Sequence, residues 1–475
     1  MAQQKSTRIQ SNGMAWLRDD RHSWFLAAMM WMLIVLMIVP EGFDYQSLTA
    51  TSAPAVGGPI SRLLWLGLLT VGAIITLWRA GLGWLLVRMT NPYFLLLIVL
   101  AVASVAWSID PALTSRRLIR LFTFVLVCTA FVLISWHGRR FQNVLRPILT
   151  IMLFGSIIFG LLFPALAIHQ QTSAELIGAW RGLANHKNGL GALACMGLIF
   201  WFHAWLTREV TTLPALAGAA LAATCLLLSR SSTSLATALV VMGLLLIFLR
   251  SPQGFRPYMP YLVGFLVLTL LIYAFAILNL IPGMATLMTP IAALTGKDTS
   301  LTGRTEIWAI ISEHIRYHPL LGTGYGAYWT AGPVAGTDSY EFYWRMGTFY
   351  PGSAHNGYLE ILNDLGWVGL LGLIAYLITY VRQSMQLMGI DRNQGALYLA
   401  LFFQQAITNL SETHWFSVLS VDFVIMTLAT VALARGLLEY RLRQVFGEPP
   451  PVASPFSGMV LPLPQKSLSR ANSGA

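Results

Sequence analysis

An all-α polytopic membrane protein is the fold class this sequence predicts, and three observations predict it. Hydrophobic residues make up 56% of the 475-residue chain and charged residues only 10%, where a soluble domain carries about 25% charged residues. Apolar runs recur along the chain at the length a membrane span needs, roughly 17–25 residues. The basic residues lie mostly between those runs. The net charge of +11 therefore reads as topology, not as a nucleic-acid footprint. The lipid bilayer is the first partner implied, and no nucleic acid is expected.

The residues up to 23 are polar and basic. The apolar run after them ends at Pro40 without a small-x-small cleavage pattern, so it reads as a first span that also targets the chain. About twelve spans are predicted, at 24–40, 63–78, 93–107, 118–136, 148–168, 188–206, 212–229, 232–249, 258–281, 364–381, 395–410 and 415–435. Residues Ser229–Ser231 leave room only for a tight antiparallel hairpin between spans seven and eight. The expected layout is an N-terminal cytoplasmic segment 1–23, a bundle 24–281 with nine spans, a large outer loop 282–363, a bundle 364–435 with three more, and a tail 436–475. From EPPPVASPFSGMVLPLPQ onward the tail is too rich in proline and small residues to build a core.

With the N-terminus inside, 19 of the 30 Lys and Arg fall on the inner side. That bias favours two cytoplasmic termini in a bacterial inner membrane, with the large loop in the periplasm. The other 11 stand on the disfavoured side and need a reason to be there. Cys128, Cys195 and Cys225 sit inside apolar runs with neither zinc nor disulfide spacing.

The outer loop carries SLTGRTEIWAIISEHIRYHPLLGTGYGAYW from Ser300 to Trp329. Thr302 can cap a helix starting near Gly303. Ile307, Ile310, Ile311 and Ile315 recur at helical spacing, and His318-Pro319 with Gly322 ends it. Arg304 precedes Trp308, Ile311 and Ile315 at helical intervals, so it turns inward from an interfacial helix or snorkels at the headgroups. His314 and His318 have the i,i+4 spacing of zinc ligands, but HIRYH lacks the Glu of HExxH and a third ligand. No metal site is assigned. The rings of EFYWRMGTFYPGSAHN form a sugar-stacking platform or pack in the interfacial belt.

Other basic residues share the outer side. In AWRGLANHKNGLGALA, Arg181, His186 and Lys187 precede span six, whose start Asn185 or Asn188 can cap. A helix N-terminus is a ready anion site. In LSRSSTSLATAL, Arg230 occupies the tight hairpin. Arginine's planar fork suits phosphate, and a lipid-linked diphosphate or a lipid headgroup would supply it. His355 and Asn356, in SAHNGYLEI, stand where the loop becomes span ten. Asn356 is the better cap, which leaves His355 at the helix mouth as a cap neighbour or as a proton acceptor. Glu360 and Asp364 follow on the same helix, and Glu360 orients sugar or faces the loop.

The succession LSRSS, TGRTEIW, HPLLGTGYG and HNGYLEILNDLGWVGLL resembles the Wzy/WaaL superfamily of O-antigen polymerases and O-antigen ligases. NHKNGLG is most like its ExoQ-type exopolysaccharide polymerases. The resemblance covers Arg181 to Gly369. It implies a GT-C-like membrane glycosyltransferase on the outer face of the inner membrane, with an undecaprenyl-diphosphate-linked sugar donor, a glycan acceptor and no cofactor. It implies that Arg230 and Arg304, with Arg181 more loosely, hold the donor diphosphate and that His355 is the general base. His186, Lys187, Asn356 and Glu360 become further substrate contacts, and chain-length regulators or export proteins further partners. The expected reaction joins one lipid-linked repeat to another. A ligase transferring the glycan to lipid A–core shares the chemistry and differs in acceptor. The absence of a convincing carboxylate pair argues against a glycosidase. A transporter or flippase would need ionisable residues near the midplane, where Asp422 is the single candidate.

Overall fold

The structure, a computed structural model, describes residues 23–38, 59–134, 141–170, 176–184, 186–277, 304–330, 334–346, 350–417 and 420–446. The predicted N-terminal segment, Asn185, Thr302 with the loop before Arg304, and the tail from 447 lie outside the described residues.

Fourteen helices carry the description. They are α1 (Ser23–Ile38), α2 (Pro59–Trp78), α3 (Ala80–Met89), α4 (Pro92–Ala103), α5 (Pro111–Ile134), α6 (Gln142–Leu162), α7 (Lys187–Leu206), α8 (Thr212–Leu228), α9 (Ser232–Arg250), α10 (Met259–Ile277), α11 (Arg304–Ile315), α12 (Gly357–Ile390), α13 (Arg392–Thr408) and α14 (Val421–Phe446). No strand occurs among the described residues; Ile168 and Trp180 form an isolated bridge. Each of the twelve predicted apolar runs holds a helix. Among the described residues eight helices are long and apolar enough to cross a membrane, and the bent pair α3–α4 passes that test as a ninth. The remainder, α1, α8 and α13, are short for a span, and α13 buries Gln404 and Gln405. This is an all-α, multi-pass membrane protein.

Local chemistry sets the breaks. The 105° bend between α3 and α4 falls at Thr90–Asn91. The Asn91 side chain accepts from Tyr93 N at 3.1 Å and Phe94 N at 3.4 Å, and Pro92 at N1 needs no donor. Its Nδ2 donates to Tyr376 O at 2.9 Å, pinning the elbow to α12.

α14 is the central helix, touching α1, α3, α5, α7, α12 and α13. Around it, α7 packs between α8 and α9, and α13 between α9 and α12. The predicted tight hairpin is therefore splayed: α8 and α9 join through three residues, yet α8 lies mainly against α7, and α9 against α13 and α7.

The 34-residue α12 is two helices in one. Gly366 breaks it with φ 65° and ψ −165°, in the left-handed half of backbone space that glycine tolerates. Residues 319–324 fill the break. Trp367 N donates to Pro319 O at 2.9 Å, Thr323 N to Asn363 O at 3.0 Å and Gly324 N to Asp364 O at 2.9 Å. These bonds satisfy groups that a helix end would leave open. Residues 357–363, the end of the predicted outer loop, form the first part of α12, on which the sequence already puts Glu360 with Asp364.

Candidate active site at the loop end of the bundle

The HNG triplet at the start of α12 is built by three different requirements. Asn356 is the cap, its Oδ1 accepting from Tyr358 N and Leu359 N at 3.0 Å each. Its Nδ2 donates to Leu410 O at 3.1 Å, tying this end to the α13–α14 connection. Gly357 N donates to Asn409 O at 2.9 Å. A Cβ on Gly357 would meet Asn409 Oδ1 at 1.9 Å, so no larger residue fits. His355 takes a left-handed φ of 48°, a conformation that costs a non-glycine residue about 1 kcal/mol or more. Gly357→Ala is expected to destabilise the fold by about 2–3 kcal/mol and to lower activity with it, as read by thermal unfolding alongside turnover.

The connection that Asn356 and Gly357 grip carries Glu412, the hub of the site. Glu412 Oε1 accepts from Arg304 Nη2 at 2.9 Å and from Asn188 Nδ2 at 2.6 Å. Its Oε2 lies 3.6 Å from His355 Nδ1. One carboxylate thus gathers the first residue of α11, the first turn of α7 and the mouth of α12. Asn409 holds the loop, its Oδ1 accepting from His414 N at 2.9 Å and Trp415 N at 2.8 Å. Beyond it, His414 Nδ1 and Asp422 Oδ2 are 2.6 Å apart. At 3.6 Å the carboxylate is beyond hydrogen-bond distance of His355 Nδ1, but its charge favours the tautomer with the proton there, leaving Nε2 as the acceptor.

Burial alone would raise the Glu412 carboxyl. His355, Arg304 and His414 outweigh it and hold the group at about 2. Burial lowers His186 to about 4; Glu412 opposes this, while His169, His355 and Lys187 add to it. The signs give a pH prediction. The folded state binds the His186 proton less readily than the unfolded chain, so stability falls as pH drops from about 6.5 to about 4. The Glu412 contribution is whole above about pH 4.5 and is lost as pH falls toward 2. Unfolding midpoints measured down this range should decline in two stages, and Glu412→Gln should remove the lower one. An unchanged acid limb in that variant would contradict the assignment.

The remaining predicted residues are placed as follows. His186, not Asn188, caps α7, its Nδ1 accepting from Asn188 N at 3.3 Å; this frees the Asn188 side chain for Glu412. The His186 ring packs 5.1 Å from that of His169, whose Nε2 accepts from Lys187 N at 3.2 Å. Arg181 is buried and its Nε donates to Leu166 O at 2.6 Å; it ties the segment before α7 rather than joining Glu412. Arg230 has φ 50° and an exposed side chain whose Nη1 donates to Ile177 O at 3.0 Å. The short turn does not carry its guanidinium into the Glu412 cluster. Glu360 is buried and accepts from Ala354 N at 2.7 Å, so it props the residue before His355.

Arg304 does turn inward, and the apolar face of α11 is the expected one, with Ile307, Trp308, Ile310, Ile311 and Ile315 buried. Trp308 Nε1 donates to Ala354 O at 2.9 Å. His314 has both ring nitrogens engaged, Nδ1 with Asn363 Oδ1 at 3.0 Å and Nε2 with Asp338 Oδ2 at 3.2 Å. It joins α11 to the loop and to α12, which leaves no ring nitrogen for the zinc-like pairing with His318. Among the described residues no group of three His, Cys, Asp or Glu is arranged for a metal. The rings of the loop divide: Tyr325, Tyr328 and Trp329 of GTGYGAYW and Phe342 of the later aromatic run are core, whereas Trp344 of that run is 75% exposed.

Comparisons with known proteins assign the chain to a family. Residues 217–374 match the Wzy_C family model, described as O-Antigen ligase; that stretch includes Arg230, Arg304 and His355. The chain is also 30% identical over 325 residues to "Exopolysaccharide production protein ExoQ" of Rhizobium meliloti (strain 1021). That alignment spans 66% of this chain and 70% of the relative. The chain belongs to the Wzy/WaaL superfamily. Within it, the protein is ExoQ-like. The superfamily assignment makes it an O-antigen or exopolysaccharide polymerase or ligase, acting on lipid-linked glycans in a membrane.

Proposed function

We propose that this protein is a metal-independent glycosyltransferase that joins undecaprenyl-diphosphate-linked oligosaccharide repeats. The observation that carries the reading is the Glu412 clamp, which sets His355 and Arg304 at one site on the loop end of the bundle. An acceptor sugar hydroxyl gives its proton to His355 Nε2 as its oxygen attacks the donor's anomeric carbon. The bond from that carbon to the diphosphate breaks, and the leaving group departs with the electron pair. Arg304 stabilises the charge that develops there. Arg230 joins it by releasing Ile177 O. The leaving group is already a diphosphate, so no general acid is required. Glu412 fixes the tautomer of His355 and balances the imidazolium that forms.

The loop end is proposed to face the periplasm, with both termini cytoplasmic and the bundle divided as 24–281 and 364–435. Asp422, the acid a transporter would use, supports that alternative poorly: it pairs with His414 at the loop end of α14. A ligase that moves the glycan to lipid A–core is the second reading, favoured by the description of the family model. Purified protein given a lipid-linked repeat unit separates the two. A ladder of repeats on the carrier supports the polymerase; product formed solely when lipid A–core is added supports the ligase. Arg304→Lys and Arg230→Lys are each expected to lose roughly 10²-fold in that assay, because a point charge does not replace a planar fork. Wild-type turnover in Arg304→Lys would remove it from the donor site.

A further inference from the structure

The opposite end of the bundle holds a basic cavity that the proposed reaction does not use. Thr207–Thr211 join α7 to α8, turned by a left-handed φ of 59° at Arg208. This turn and the end of α9 line an open cavity of about 600 Å³. Trp205, Arg208, Glu209, Thr211, Thr212 and Arg250 line it. Glu209 is engaged elsewhere, 3.5 Å from Arg146 Nη1 and accepting from Gln142 Nε2 at 3.4 Å. Arg250 donates to Leu206 O at 3.2 Å, and among the described residues neither Arg208 nor Arg250 pairs with a carboxylate. The cavity therefore presents two guanidinium groups against one carboxylate that is already engaged, and two hydroxyls.

Its surroundings identify the occupant. Trp205 is 40% exposed at the rim, as expected of an indole at headgroup depth. Directly below, α8 exposes Leu213 and Leu216, one turn apart, an apolar path with no protein neighbour to cover it. A soluble anion would use the arginines alone, whereas a phospholipid would use the arginines and this lipid-facing path together. We infer that this cavity binds the headgroup phosphate of an anionic phospholipid, with its acyl chains along Leu213 and Leu216 of α8. Basic pockets between span ends, beside an interfacial tryptophan, suit such headgroups.

Native mass spectrometry of the purified full chain with phosphatidylglycerol or phosphatidylcholine tests this. Wild type is expected to retain phosphatidylglycerol preferentially. Arg208→Gln with Arg250→Gln should weaken that retention roughly thirty-fold, at about a factor of five to six for each basic residue. Arg88→Gln is the control for general surface charge, since Arg88 stacks on the Trp84 ring away from the cavity, and it should retain lipid as wild type does. Inorganic phosphate is the second arm, read by thermal unfolding. Stabilisation by phosphate equal to that by phosphatidylglycerol would reassign the cavity to a soluble anion. Equal retention of both lipids, or equal loss in the Arg88 variant, would overturn the site.

Discussion

His355→Ala is expected to abolish polymer, with turnover down by about 10³-fold or more, while the protein inserts and unfolds like wild type. General-base catalysis contributes roughly 10²–10⁴-fold, and among the described residues the neighbouring imidazoles are engaged elsewhere: His186 is a half-buried helix cap and His414 pairs with Asp422. The side chain of His355 is 28% exposed and carries none of the core. Its backbone, not its ring, makes the left-handed turn into Asn356, so the truncation should spare the fold. Asparagine relaxes that turn better than alanine does, and His355→Asn separates the two effects: it should remain as inactive as alanine and at least as stable. Full turnover in purified His355→Ala would sink the mechanism.

Glu412→Gln should lower kcat roughly 10²-fold and destabilise the protein by about 2–3 kcal/mol. The amide removes the counter-charge of Arg304 and His355 together while occupying the same space. Arg304 then lies at a largely buried position without its partner, which costs more than the ion pair contributed. His355 loses the group that selects its tautomer. The expected signature is a split: kcat falls more than KM rises, and the activity-versus-pH curve changes shape. Glu412→Asp, which keeps the charge and shortens the arm, should recover part of kcat. A variant that is merely less stable, with kcat and pH profile intact, would make Glu412 a loop tie and nothing else.

The helices were legible because spans are written locally, in composition. All twelve apolar runs hold a helix, and the inward face of α11 follows from the spacing of four isoleucines. His355, Asn356 and Arg304 were legible from residue type and position. Glu412 was not. Its partners are 57, 108 and 224 residues away, and no periodicity reports such pairings. A signal did exist: NLSETHW puts an acid and a histidine between two helices of a chain with only 19 acidic residues. The contacts of Arg181 and Arg230 were not legible for the same reason. Sequence gives the side of the membrane on which an arginine stands, but its hydrogen-bond partner is decided by the fold, and backbone carbonyls took both. Asp422 read as a midspan acid because α14 begins at Val421, several residues later than the predicted span.

The break at Gly366 has a mechanical consequence. Residues 367–390 form a long apolar rod, and such rods tilt when bilayer thickness changes. Residues 357–365 are fastened to 319–324 and to the α13–α14 connection, and the rod bonds to that same loop through its first turn, at Trp367 and Val368, so a tilt of the rod pivots there, below His355. Lipids of different chain length should therefore reorient the rod and leave the distance from His355 to Glu412 unaltered. One helix would then serve two masters, following the membrane below its hinge and the reaction above it.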